Sequence, residues 1–127
     1  MKIESNSAEE TFALGKQCGQ KAAVGQVYCL SGDLGVGKTV FTQGFAAGLG
    51  IKGPVSSPTF TILQVYDEGR LPFYHFDVYR ISDPEEMYEL GFEEYIEGEG
   101  ACFIEWANQI EQLLPEQYTE IHIDNDL

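Results

Sequence analysis

Basic residues are scarce in this chain, with seven Lys and Arg against 21 Asp and Glu and a formal net charge of −14. Most of such a surface repels a phosphodiester backbone, which argues against independent nucleic-acid binding. Any action on RNA is therefore expected to pass through a partner. Long apolar runs are also missing. No stretch approaches the ~20 residues that cross a bilayer, so no membrane role is expected. The leading MKIESNSAEE is polar and acidic and lacks a signal-peptide core, which predicts a cytoplasmic location. Cysteine is sparse. Cys18, Cys29 and Cys102 are far apart, odd in number and without metal-ligand spacing, which predicts buried thiols rather than bridges. Repeats and low-complexity segments are absent. What remains, 127 residues of which 43% are hydrophobic, suits one domain spanning 1–127 with a core of its own.

Against this background one segment stands out. Gly32-Asp33-Leu34-Gly35-Val36-Gly37-Lys38-Thr39 fits G-x-x-x-x-G-K-[ST], the phosphate-binding loop between a strand and a helix. Its chemistry needs this spacing. Glycines let the backbone curl so that successive N–H groups point at phosphate oxygens. Lys38 supplies a cation for the outer phosphates, and Thr39 a hydroxyl for Mg²⁺. The helix that starts here adds the positive end of its dipole. The context agrees: Val27 to Leu30 reads as a buried parallel strand, and Phe41, Phe45 and Leu49 recur at helical spacing before Gly50.

The rest of the chain alternates strand and helix signals. Ser7 and Glu10 form an S-x-x-E capping box, predicting a helix from about Ala8, with Phe12, Leu14 and Cys18 as its apolar side. Residues 52–58 read as a loop. Thr59 to Tyr66 and Phe73 to Tyr79 flank an Asp67-Glu68-Gly69-Arg70 turn and predict an antiparallel hairpin. Asp83-Pro84-Glu85-Glu86 opens a helix that should stop near Gly91. Ala101 to Ile104 is an apolar strand running into Glu105, Asn108 to Leu114 a short helix, and Tyr118 to Ile123 a last strand. This order predicts an α/β, three-layer fold of P-loop NTPase type, its sheet mainly parallel with an antiparallel portion. Eight acids and no base lie between Asp83 and Glu99, either a solvated face or a docking patch.

A nucleotide-bound Mg²⁺ takes oxygen ligands, usually one or two carboxylates beside phosphates and water. Glu105, at the carboxyl end of a buried strand, lies where open sheets place their ligand crevices. An acid there is costly without a task or a partner. Asp77 is the second candidate, with solvent exposure or pairing to Arg80 as the alternative. Thr59, in Ser57-Pro58-Thr59-Phe60-Thr61, is placed to sense a γ-phosphate or to serve plain turn chemistry. His75 either orients a water or is a satisfied strand histidine, and Trp106 either stacks on a base or fills the core.

Taken together, GDLGVGKT, SPTFT, His75-Phe76-Asp77-Val78-Tyr79-Arg80, Glu89-Leu90-Gly91 and Ile104-Glu105-Trp106 resemble the TsaE (YjeE) family, from about Thr11 to His122. The resemblance implies a bacterial P-loop ATPase that binds ATP and Mg²⁺ and hydrolyses ATP slowly. It implies work beside TsaB and TsaD, which place the threonylcarbamoyl group on adenosine in tRNAs reading ANN codons. By position it puts Gly32, Gly35, Val36, Gly37, Lys38, Thr39 and Val40 on the phosphate site and Thr39, Asp77 and Glu105 on the metal. Thr11 falls near the adenine, Trp106 beside the metal acid, and Thr59 on a switch-like loop. Lys38, Asp77 and Glu105 are the residues implied to carry hydrolysis. Val36 replaces a usual alanine and Val40 a usual threonine, neither altering the backbone cradle. Family members commonly run past the strand matching residues 120–123, so a shortened carboxyl end is expected.

Hydrolysis of this kind relies on Mg²⁺, Lys38 and backbone N–H groups to stabilise developing charge. Only Arg70 and Arg80 are available as arginine fingers in cis, which predicts slow turnover unless a partner completes the site. A P-loop small-molecule kinase is the main alternative and needs an arginine-bearing lid that this sequence hardly supplies. A GTPase would need a guanine-reading N-K-x-D-like segment, which is absent. A module that binds ATP only for assembly stays open.

Overall fold

The computed structural model describes residues 7–32, 36–53, 55 and 62–123, with backbone alone at Val36 and Gly37. Helix α1 (Ala8–Lys21) leads into strand β1 (Val27–Gly32), followed by α2 (Val36–Gly48), β2 (Leu63–Tyr66), β3 (Phe73–Asp77), α3 (Glu86–Glu89), α4 (Phe92–Ile96), β4 (Ala101–Glu105), a 3-10 helix (Ala107–Leu113) and β5 (Thr119–Ile123). The strands form one sheet in the order β2-β3-β4-β1-β5. All neighbours run parallel except the β2–β3 hairpin at one edge. The mainly parallel α/β architecture read from the sequence is thus the one observed.

Alternation along the strands splits the core in two. Tyr28 and Leu30 of β1, Phe73 of β3, and Ala101 and Phe103 of β4 pack with Phe41, Phe45 and Leu49 on the α1–α2 side. Val27, Cys29, Phe76, Cys102 and Ile104 point the other way, against Met87, Phe92, Ala107 and Ile110. Helices therefore cover both faces, as parallel strands require. Cys29 and Cys102 are buried and unbridged, and burial pushes both thiols up to about 12, so they act as small apolar residues.

The amino-terminal helix starts where its capping box puts it: the Ser7 side chain accepts the Glu10 N–H at 3.1 Å. Its packing face agrees with the expected one at Leu14 and Cys18, which pack on the core, and differs at Phe12. Phe12 is 36% exposed, and the buried positions are Gly15 and Gly19. A Cβ on Gly15 would strike the Phe41 carbonyl, one on Gly19 the Phe45 carbonyl, and one on Gly44 the Phe12 carbonyl. Two small-x-x-x-small rows thus let the backbones of α1 and α2 touch, and the one-turn advance of these contacts shows that the helices run parallel. The tail of α1 is closed by Arg70, whose guanidinium donates to the carbonyls of Gly19, Gln20 and Ala22 at 2.7–2.8 Å. Arg70 therefore serves as a helix cap, and the expectation that it could act as an arginine finger is corrected.

Two other local expectations change, and a third is met in part. The strand expected over Thr59 to Tyr66 is observed at Leu63–Tyr66, and 56–61, including Thr59, lie outside the described residues. The helix after Pro84 is a single turn. Gly91, left-handed at φ 79°, redirects the chain into α4, which had no sequence-based expectation. The segment before Pro115 is a 3-10 helix broken at Ile110.

Because backbone atoms meet the missing Cβ at Gly44, Gly44→Ala is expected to cost at least about 1–3 kcal/mol of stability. Gly53→Ala, whose Cβ would only reach the Glu68 side chain at 3.4 Å, serves as the near-neutral comparison. Urea unfolding of the two variants measures the difference.

Candidate functional site

The site lies at the carboxyl ends of β1, β3 and β4, on the side covered by α2. Strand β1 ends at Gly32, and α2 resumes at Val36. The strand before the phosphate-binding motif and the helix after it are therefore present, and 33–35, including Gly35, lie outside the described residues. Gly32 has φ 128°, a conformation open mainly to glycine, where the chain leaves the sheet. In the first turns of α2, Lys38 is buried, Thr39 exposed and Val40 half-buried. Because α1 and α2 run parallel, half-buried Thr11 in the first turn of α1 lies at the same end of the helix pair as the start of α2.

The two candidate acids arrive together. In the parallel β3–β4 ladder Asp77 is the register partner of Glu105. Alternation then puts Phe73, His75 and Asp77 on one face of β3, beside Ala101, Phe103 and Glu105 on the same face of β4. Each column begins apolar and ends in a carboxylate. Asp77 is half-buried and accepts the Tyr79 N–H at 3.1 Å. Glu105 is only 6% exposed, and its Oε2 is 2.8 Å from His75 Nε2. Burial is the main force holding the Asp77 carboxyl above its ordinary value. The Tyr79 N–H opposes it, the Glu105 charge adds to it, and Lys38 works against it.

Trp106 follows Glu105 in a left-handed conformation at φ 64°, rare for a bulky residue and worth roughly 1–3 kcal/mol of strain. Two contacts hold it: Tyr79 packs on its ring at 4.7 Å, and the Lys38 ammonium sits 4.8 Å from its centroid. The Val78 N–H donates to the Glu105 carbonyl at 3.2 Å and ties the two strand ends together. Lys38, Asp77, Glu105 and Trp106 thus converge. Tyr79 escaped sequence reasoning, although its place two positions beyond Asp77 in the strand alternation was a signal for it. Arg80 is exposed on the turn that follows.

This donor set suits a hard cation. Two carboxylates converge, the number that Mg²⁺ takes when nucleotide phosphates supply the remaining oxygens. Among the described residues no group of three or more His, Cys, Asp or Glu is arranged to hold a metal.

Comparison with known proteins adds a family. The family model "Threonylcarbamoyl adenosine biosynthesis protein TsaE" matches residues 5–127. The tRNA threonylcarbamoyladenosine biosynthesis protein TsaE of Bacillus subtilis (strain 168) is 50% identical over 97% of this chain and 77% of its own length. The protein of the same name from Treponema pallidum (strain Nichols) is 42% identical over 97% of this chain and 90% of its own. Among solved structures, the crystal structure of Bacillus subtilis YdiB superposes with a TM-score of 0.81 at 46% identity, over 94% of this chain and 73% of that one.

The raised Asp77 carboxyl has a consequence for stability. The fold binds its proton more tightly than the unfolded chain does, so stability is lost as pH rises from the ordinary value of 3.8 through the folded one. Asp77→Asn removes that loss. In metal-free, nucleotide-free protein it is expected to raise the melting temperature at neutral pH, with the gain shrinking toward acid. Calorimetry across pH tests this, and a lower melting temperature at pH 7 would contradict it.

Proposed function

We propose a function that proceeds from one premise: this chain belongs to the TsaE family of threonylcarbamoyladenosine biosynthesis proteins. Within that pathway we infer an Mg²⁺-dependent, ATP-binding protein that hydrolyses ATP slowly, residues 1–127 working as one P-loop ATPase domain. It acts in the cytoplasm beside TsaB and TsaD, on tRNAs reading ANN codons, and reaches tRNA only through those partners. The observation that carries this reading is the convergence of buried Lys38 with the Asp77–Glu105 pair beside the start of α2. No helix among the described residues is long and apolar enough to cross a membrane.

The residues divide the work. The backbone from Gly32 through Gly35, Val36 and Gly37 to Val40 would cradle the phosphates, with the α2 dipole behind it. Thr39, Asp77 and Glu105 would hold Mg²⁺. Thr11, at the same end of the helix pair, would border the adenine, and Thr59 would follow the γ-phosphate. When bound, the metal would offset charge on the β- and γ-phosphates. Lys38 would leave the face of Trp106 for the phosphate oxygens, where an ionic hydrogen bond replaces a cation–π contact. Arg70 is occupied at the tail of α1, which leaves Arg80 as the last arginine in cis and supports slow unaided turnover. The same commitment weighs against the kinase alternative, which needs an arginine-bearing lid.

Trp106 is the only tryptophan, so titration with ATP and Mg²⁺ is expected to change intrinsic fluorescence as Lys38 departs. Lys38→Ala should weaken ATP binding by tenfold or more, in line with about 1.5–3 kcal/mol for a hydrogen bond to a charged group. Reconstituted tRNA modification should stall over repeated cycles when this protein is omitted. Unchanged modification without it would remove the pathway role, and unchanged fluorescence the nucleotide site.

A further inference from the structure

His75 has no exposed surface at all, the extreme among the described buried polar residues. Its ring lies almost parallel to Phe73 at 5.6 Å and meets Phe103 edge-on at 5.8 Å. An apolar ring would suit that slot, whereas a polar one costs about 1–3 kcal/mol unless hydrogen-bonded. Of its two nitrogens only Nε2 is satisfied, by Glu105 Oε2 at 2.8 Å. Nδ1 is buried and has no partner among the described residues. A proton on Nδ1 would be stranded there, so the tautomer that fits carries its proton on Nε2 and donates it to Glu105.

We propose that His75 is a positioning residue for Glu105. Its Nε2–H holds Oε2, and the flanking Phe73 and Phe103 rings fix the direction of that bond. The carboxylate is thereby held in one orientation toward the nucleotide-bound divalent cation. The inference rests on the ATP–Mg²⁺ reading above. It accounts for a half-satisfied imidazole inside an aromatic layer: the slot gives up packing quality so that a donor stands one strand away from Glu105. A carboxylate at a strand end otherwise samples several rotamers, and each lost orientation weakens a cation that demands regular octahedral geometry.

The test uses the full chain loaded with ADP, with Mn²⁺ as the probe and its binding read by the loss of the free-ion paramagnetic resonance signal. His75→Leu removes the donor and keeps an apolar filling. It is expected to weaken Mn²⁺ by about 10–100-fold, while ADP binding in EDTA stays as in the parent protein. His75→Gln retains an N–H donor and should recover most of the loss. Equal Mn²⁺ affinity for the parent and a folded His75→Leu variant overturns the proposal. Equal affinity for the parent and Glu105→Gln instead overturns the metal reading beneath it, so the two failures are told apart. If His75→Leu does not fold, long-range proton–nitrogen spectra of the parent chain decide. The ring should carry its proton on Nε2, and a ring protonated on Nδ1 overturns the proposal. His122 is the only other histidine and is exposed, so assignment is direct.

Discussion

Two carboxylates held side by side at the ends of neighbouring parallel strands repel each other, and the rest of the site is arranged around that repulsion. The β3–β4 register makes Asp77 and Glu105 partners, and their backbones cannot separate without breaking the ladder that pairs them. Lys38 approaches from α2, His75 engages one oxygen of Glu105 from below, and the Tyr79 N–H takes one oxygen of Asp77. None of these removes the excess negative charge. The divalent cation of the proposed reading would, and a buried acidic pair that costs stability on its own would then follow the usual trade between function and stability.

The aromatic layer beneath supplies the rigidity. Phe45 packs on Phe73, Phe103 and Tyr28 at centroid distances of 4.9–5.6 Å, and His75 closes the top of this stack. Its position depends in turn on the α1–α2 contact. Glycines on both helices let the backbones meet, and Arg70 closes the far end of α1. Larger residues there would push α1 outward and carry Thr11 away from the start of α2. Packing far from the chemistry thus sets the geometry of the site, as preorganised sites on regular elements require.

Much of this was legible in the sequence. The buried strands β1 and β4 show as apolar runs, the hairpin as two β-rich segments around a turn, and the phosphate loop by its spacing. Asp77 and Glu105 could be named because acids at strand ends are conspicuous. Their adjacency could not, since nothing local says that β4 inserts between β3 and β1. Leu14 and Cys18 on the packing face of α1 were legible, but its glycines were not, because Gly15 and Gly19 read as weak helix formers and their value lies in the partner helix. Helix α4 was hidden because Gly91 looks like a stop and the acids around Phe92 obscure its short apolar signal. Arg70 looked free because its partners are carbonyls about fifty positions earlier. His75 stayed ambiguous because its role depends on a carboxylate thirty positions later.

Charge decides the last step. A polyanionic nucleotide approaching a chain with a net charge of −14 meets repulsion at long range. On the proposed reading, attraction would come from short-range donors, and among the described residues these are few: one buried lysine and the amino end of α2. Screening at physiological salt, with a Debye length of about 8 Å, hides most of the acidic surface from a ligand already seated. It does not hide Asp77 and Glu105, which lie within the site itself. In this arrangement a divalent cation turns the two nearest acids from repulsive to attractive toward phosphate. On the proposed ATP–Mg²⁺ reading, nucleotide and metal would therefore bind as a unit, with the acidic pair coupling them.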